Sequence, residues 1–214
     1  MQTEFKPFNP DEGKEIYRVQ LPHWRQPGVT YFTTWRLADS LPQMKLRQLE
    51  ELRTNWLRSH KVANIELAPE GIRNAYHRQF TAKMHQWLDA GYGSCELKKP
   101  DCAEIVSNAL RFFDGTRYAL DEFVVMPNHV HALFAPSPDY TLAEILHSWK
   151  SFTSHAINKQ LNCAGVFWLN ETWDHIVRSR AHLEHFRNYI RENPSKARLL
   201  PNHYVSGRGV GILD

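Results

Sequence analysis

Four side chains in two short stretches carry the chemistry this sequence can do. The first stretch is Met126-Pro127-Asn128-His129-Val130-His131-Ala132-Leu133-Phe134, preceded by Phe123-Val124-Val125. Its apolar run reads as a buried strand, and on a strand residues i and i+2 share a face. His129 and His131 therefore project side by side, while Val130 turns to the opposite face. Two neutral imidazoles held this way are half of a divalent-metal site, because imidazole nitrogen is the commonest protein metal ligand. A lone His-x-His also occurs in ordinary cores, so the pair calls for a second signal.

That signal is His185-Phe186-Arg187-Asn188-Tyr189-Ile190-Arg191-Glu192-Asn193-Pro194. From Ala181 to Leu200 the apolar residues Leu183, Phe186 and Ile190 recur between charges, the pattern of an amphipathic helix. Tyr189 and Asn193 are four apart and share a face, one turn from each other. A phenol and a carboxamide oxygen so placed could both approach one metal-bound phosphate. Pro194 lacks the N–H a straight helix needs and crowds the preceding turn, so a break or kink is expected just after Asn193. Taken alone, Tyr189 reads better as an anchor of the helix to its sheet.

The elements that must position these groups are legible as patterns. Val29 to Leu37 reads as a strand rich in Thr and aromatics. Pro42 to His60 and Pro69 to Asp89 read as helices, the second punctuated at its end by Gly91 and Gly93. Asp101 is expected to cap a third helix with Ile105, Leu110 and Phe113 on its apolar side, ending at Asp114-Gly115. Tyr118 to Val125 and His129 to Phe134 form two strands joined at Pro127-Asn128, a hairpin signal. Thr141 to Leu161 is an amphipathic helix, Thr172 to Arg178 a short last strand, and the Tyr189 helix follows. A βαββαβ order with helices on one face of an antiparallel sheet is the ferredoxin-like plan, an α+β fold. Residues 43–99 read as a helical insertion in its first crossover, 1–28 as an N-terminal extension, 29–200 as a single domain and 201–214 as a C-terminal tail.

Together and in this order, Pro127-Asn128-His129-Val130-His131-Ala132-Leu133 and Tyr189-Ile190-Arg191-Glu192-Asn193-Pro194 resemble the single-tyrosine HUH transposases (histidine, hydrophobic, histidine), the IS200-like transposases. Among them they resemble most the REP-associated tyrosine transposases of bacterial genomes. Leu21-Pro22-His23-Trp24-Arg25-Gln26-Pro27-Gly28 leading into Tyr31-Phe32-Thr33-Thr34-Trp35-Arg36-Leu37, Ser148-Trp149-Lys150-Ser151 and Trp173-Asp174-His175-Ile176-Val177-Arg178 match as well. The resemblance spans roughly residues 20 to 200 and is least specific from 43 to 99. It implies an RRM-like palm, cleavage and strand transfer of single-stranded DNA as in transposition, and a 5′-phosphotyrosine intermediate with a free 3′-hydroxyl. The implied substrate is a palindromic hairpin with a short recognition sequence at its foot, met in the bacterial cytoplasm at the nucleoid.

The residue types suit that chemistry. A metal on His129 and His131 would polarise a phosphate oxygen and stabilise charge in the transition state. Asn193 would supply a third, oxygen ligand, which suits Mg²⁺ or Mn²⁺. Tyr189 would attack; a free phenol has a pKa near 10, so it must be activated. Single strands are gripped by basic grooves with aromatic platforms, for which Lys150, Arg178, Arg180 and Trp149 are the candidates, with Trp173 beside them. Lys45, Arg47, Arg53 and Arg58 of the insertion read as a solvated helix face.

Composition narrows the alternatives. The chain has 214 residues, 23% charged and 12% aromatic, with net charge +3. That describes an ordinary folded protein, and the mild positive bias permits nucleic-acid binding without proving it. No apolar run approaches the length of a membrane helix and no signal-peptide core opens the chain, so no membrane partner is expected. Cys95, Cys102 and Cys163 lack Cys-x-x-Cys spacing and read as reduced thiols of a cytosolic protein. A His-x-His-x-His hydrolase needs histidine where Leu133 stands, a metallo-β-lactamase pattern is broken by Ala132-Leu133-Phe134, and a cupin-like carboxylate is missing before Asp139. One further reading stays open, a non-catalytic nucleic-acid-binding module on the same palm; monomer and dimer are equally open.

Overall fold

A computed structural model describes residues 3–9, 15–18 and 22–213. Leu21 of the Leu-Pro-His-Trp motif and residues 10–14, 19 and 20 of the N-terminal extension lie outside the described residues. In chain order the elements are β1 (Thr3–Glu4), β2 (Glu15–Arg18), β3 (Pro22–Arg25), β4 (Tyr31–Leu37), α1 (Gln43–Ser59), α2 (Glu70–Asp89), α3 (Pro100–Phe112), β5 (Tyr118–Val125), β6 (His129–Pro136), α4 (Leu142–Gln160), β7 (Trp168–Ile176), α5 (Arg180–Lys196), β8 (Val205–Arg208) and β9 (Ile212–Leu213).

The main sheet has the order β7-β4-β6-β5-β8, and every neighbouring pair is antiparallel. Its first four strands are in the βαββαβ order, with the first and third strands of the motif in the centre, so the fold is the expected ferredoxin-like palm. Period-2 alternation sends Val130, Ala132 and Phe134 of β6 into one cluster with residues of α3 and α4. Leu133 goes to the opposite face, where it packs in a second cluster with Leu183, Phe186 and Ile190 of α5. The two crossover helices thus share one face, as the plan requires. Helices were expected on one face alone; α5, which follows the last strand of the motif, covers the other.

A bulge gives α5 its anchorage. The β5–β6 register shifts between Leu120 and Phe123, which reverses side-chain parity along β5 and leaves Asp121 and Glu122 buried at the break. The Arg187 guanidinium grips Asp121 from Nε at 2.7 Å and Nη2 at 3.3 Å and donates to the Ile212 carbonyl at 2.7 Å. One turn on, Arg191 Nη2 pairs with Glu122 at 2.6 Å. Burial raises the Asp121 pKa against the opposing pull of Arg187.

Several boundaries differ from expectation for identifiable reasons. Lys99 is the N-cap of α3 and Pro100 its first residue, so Asp101 lies in the first turn, where its charge favours the helix dipole without capping. Pro194 does not break α5, which continues to Lys196. Proline in the last turn forfeits only its own hydrogen bond, and Asn193 and Pro194 still accept from Ala197 and Leu199. Strand β7 begins at Trp168, four residues before the expected start. The tail contributes β8, a fifth strand beside β5. Glycine permits that fit: a Cβ on Gly207 would meet the Phe123 ring at 2.7 Å and the Arg111 guanidinium closer still.

The insertion forms a third cluster, in which Leu49 of α1 packs with Tyr76, Phe80, Trp87 and Leu88 of α2. It is tied to the palm where Asn128 Nδ2 donates to the carbonyls of Leu88 and Tyr92, at 3.2 and 2.9 Å. That junction lies immediately before His129.

Candidate active site

Strand parity sets His129 and His131 on the α5 face, and burial then fixes their protonation. The two are 1% and 0% exposed, and burial holds both pKa values below the ordinary histidine value, at about 3 for His129. Both rings are therefore neutral. Asn128 determines the His129 tautomer. Its amide nitrogen already donates to two carbonyls, so its Oδ1, 2.7 Å from His129 Nδ1, must accept a proton from that ring. His129 Nε2 is left with its lone pair. His131 Nδ1 sits 2.7 Å from Thr34 Oγ1, which steers its Nε2 towards the same point. The two Nε2 atoms are 3.0 Å apart, the separation of two ligands at right angles on one ion with bonds of about 2.1 Å.

The tyrosine arrives from the opposite direction. Phe186 of α5 stacks on Phe32 at 4.2 Å, Phe32 stacks on His131 at 5.4 Å, and the Tyr189 ring stands edge-on 5.2 Å from His131. Burial and the nearby Asp89 charge push the phenol well above its ordinary pKa, while Asn193 favours the phenolate. Asn193 itself is fully buried, and neither of its amide atoms makes a hydrogen bond of ordinary geometry. A buried carboxamide without a partner of ordinary geometry, one helical turn from the phenol, has an oxygen that could serve a cation. Two neutral imidazoles and an amide oxygen are a donor set that a divalent cation fits, the oxygen being the part that suits Mg²⁺ or Mn²⁺. Among the described residues no three His, Cys, Asp or Glu side chains already converge at metal-binding distances, so the amide matters.

Residues 94–193 match the family model described as "Transposase IS200 like". Over that segment, somewhat under half of its length, the chain is similar to the IS200-like transposases. The matched residues hold His129, His131, Tyr189 and Asn193 and exclude β4, α1 and α2. Among solved structures, the chain is similar to a REP-associated tyrosine transposase bound to a REP hairpin, at 16% identity over 86% of this chain and 76% of that one, with a TM-score of 0.44. A candidate transposase from Deinococcus radiodurans R1 matches at 12% identity over 79% of this chain and 93% of that one, with a TM-score of 0.28. No curated protein matches. No helix among the described residues is long and apolar enough to cross a membrane.

Two residues of the insertion enter the site without having been singled out from the sequence. His85 Nδ1 lies 3.0 Å from Tyr189 Oη, and its Nε2 is buried without a partner. Burial lowers its pKa to about 4. Asp89, four residues on and so on the same helix face, brings Oδ1 to 3.9 Å from His129 Nε2, and burial raises its pKa to about 6. The available signal was a His and an Asp at i,i+4 on an otherwise apolar stripe, which a solvated edge of the helix produces as readily.

The candidates for gripping DNA divide. Trp149 is buried on the α3/α4 face, where its indole donates to Tyr118 Oη at 2.9 Å, so it is a core residue remote from the histidines. The Lys150 ammonium donates to the carbonyls of Leu169 and Asn170, both at 2.7 Å, and burial lowers its pKa to about 8. Its donors hold the start of β7 rather than face solvent. Arg178 and Arg180 are exposed at the entrance to α5. Trp173 pairs with Thr34, which pairs with His131, so the three form one cross-strand row, and the indole lies 5.1 Å from the His85 ring. A cavity of about 140 Å³ opens beside this row, lined by Arg36, Arg53, Phe80, Met84 and Trp173 among others.

Proposed function

We propose that this protein cleaves and rejoins single-stranded DNA at a hairpin through Tyr189, with His129, His131 and Asn193 holding one divalent ion. The observation that carries the reading is the convergence of two neutral imidazole Nε2 atoms, a buried carboxamide and a buried phenol on one side of the sheet. Bound Mg²⁺ or Mn²⁺ would neutralise a non-bridging phosphate oxygen and favour the phenolate. Tyr189 Oη attacks phosphorus, the bond to the 3′ oxygen breaks, and a 5′-phosphotyrosine remains beside a free 3′-hydroxyl. A second 3′-hydroxyl reverses the step and joins strands without an external energy source.

The hydrogen bond between His85 Nδ1 and Tyr189 Oη, 3.0 Å long, fixes the phenol against α2. Arg178 and Arg180 supply exposed positive charge for the DNA backbone, and Trp173 with its adjoining cavity offers an aromatic wall for a neighbouring nucleotide. The motif resemblance to the REP-associated enzymes supports a hairpin as substrate. A module that only binds nucleic acid would keep the palm without needing neutral, converging imidazoles. Incubating a hairpin-bearing single strand with the protein and Mn²⁺ separates the two readings. Cleavage that disappears in EDTA and in His131→Ala supports strand transfer; binding without cleavage under all conditions supports the module.

A further inference from the structure

We propose that Asp89 is a ligand of the same divalent ion, so that the helical insertion completes the metal centre of this protein. The inference rests on the reading of His129 and His131 as metal ligands and adds a carboxylate from outside the family-matched segment 94–193.

The argument is one of unmatched acceptors. His129 spends its only ring proton on Asn128 Oδ1, so its Nε2 presents a lone pair. Facing it at 3.9 Å is Asp89 Oδ1, a buried oxygen with no hydrogen bond. Carboxylates buried in proteins are paired, hydrogen-bonded or bound to a cation. The basic group nearest in effect, Lys196, has its ammonium on Glu192 at 2.9 Å. Two acceptors therefore look at each other across a gap slightly under the roughly 4.2 Å that two metal bonds of about 2.1 Å would span. His131 Nε2, 3.0 Å from its neighbour, borders the same space, and with the ring proton on Nδ1, facing Thr34 Oγ1, it presents a third lone pair. The three do not converge at metal-binding distances as they stand, and one divalent cation entering between them would satisfy all three. Its charge would then be balanced by a carboxylate as well as by the phosphate of the substrate, which suits a site that must hold its ion before DNA arrives. The i,i+4 spacing to His85 means that one face of α2 contacts both the ion and the nucleophile.

The test is Mn²⁺ binding to the full chain without DNA, read from loss of the free-ion signal in electron paramagnetic resonance. Wild-type protein should bind one ion, and Asp89→Asn should weaken binding at least about tenfold, since loss of even an outer-shell partner costs 10–100-fold. The metal-free melting temperature of Asp89→Asn should be no lower than that of wild type, while the rise produced by Mn²⁺ should shrink. Pulsed resonance on wild-type protein labelled with ¹³C-aspartate gives a readout free of mutation, and a directly bound carboxylate should appear as a resolved ¹³C coupling. Affinity within about twofold of wild type in Asp89→Asn, with binding lost in His131→Ala, would overturn the role of Asp89 and leave the histidine site standing, as would absence of the ¹³C coupling. No Mn²⁺ binding by wild-type protein would overturn both.

Discussion

The two faces of the central sheet are built from the same strands and do different work. On one, Val130, Ala132 and Phe134 of β6 meet Trp149, Ile145 and Cys102 in a cluster where the Trp149 indole is paired with Tyr118 and the Trp168 indole with Thr153, while the Trp35 indole N–H lacks a partner. On the other, the intervening residues His129 and His131 meet Tyr189, Asn193, His85 and Asp89, and orphan atoms accumulate on Asn193, His85 and Asp89. Buried polar atoms without partners cost stability. Four of them, on Asn193, His85 and Asp89, lie around one tyrosine, which fits the proposal that something binds there. Anchorage differs too: the first face is held by apolar packing, the second by a smaller apolar cluster together with the ion pairs of Arg187 and Arg191 with the bulged carboxylates of β5.

That contrast can be broken residue by residue. Trp149→Ala should cost about 3–5 kcal/mol of unfolding free energy through loss of core packing, measured by denaturant titration, while the folded fraction keeps its metal binding. His131→Ala should do the reverse, abolishing cleavage with a much smaller shift in melting temperature. If His131→Ala destabilises as much as Trp149→Ala, the histidine is a core residue and the two faces are alike. Asp121→Ala strands the Arg187 guanidinium, and breaking a buried pair costs about 3–5 kcal/mol. Here loss of stability and loss of activity should appear together, because the same contact orients the Tyr189 helix.

Acid should act mainly on the histidine-bearing face. His85 and His175 have pKa values of about 4 and His129 about 3, and that of His131 is also lowered, all chiefly by burial. Each folded-state value lies below the unfolded one, so between the two the unfolded chain binds more protons. Stability is then fully present above about pH 6.5 and falls as pH drops towards 4, by up to about 1.4 kcal/mol per pH unit for each histidine. Asp89, raised to about 6, works oppositely with one proton. A melting temperature flat between pH 7 and 4 in metal-free buffer would contradict neutral burial of these rings. The smallest effect expected is electrostatic. Arg178→Ala and Arg180→Ala should each flatten the slope of log affinity against log salt by about one unit, with binding to a DNA hairpin measured at several salt concentrations. An unchanged slope would remove either arginine from the DNA interface.

Much of the histidine-bearing face was legible because it is local. Strand parity alone puts His129 and His131 together, and helical period alone puts Tyr189 with Asn193. What could not be read is what other elements bring. The arrival of His85 and Asp89 depends on how α2 docks near Asn128, a tertiary fact that no periodicity within the insertion encodes. The bulge at Asp121-Glu122 looks in sequence like an acidic interruption of a strand, and only the pairing register shows that it faces α5. Strand β8 is four residues long and contains Gly207, which reads as tail. Trp149 was misread for the opposite reason: the Trp-Lys pair resembles a DNA platform, yet Trp149 continues the stripe of Leu142 and Ile145 into the core. The reach of Lys150 to the carbonyls of β7 is likewise a contact between elements.

The central claim is that Tyr189 becomes covalently joined to DNA. A hairpin-bearing single strand labelled on the 3′ side of the scissile phosphate, incubated with the protein and Mn²⁺, should migrate with the protein through a denaturing gel. Peptide mapping should place the adduct on the segment holding Tyr189. Tyr189→Phe should remove the adduct while leaving melting temperature and hairpin binding near wild type, and Tyr31, Tyr76, Tyr92, Tyr118 and Tyr204 should carry no label. An adduct that survives Tyr189→Phe, or cleavage with no adduct at all, would contradict the account and point to water as the nucleophile.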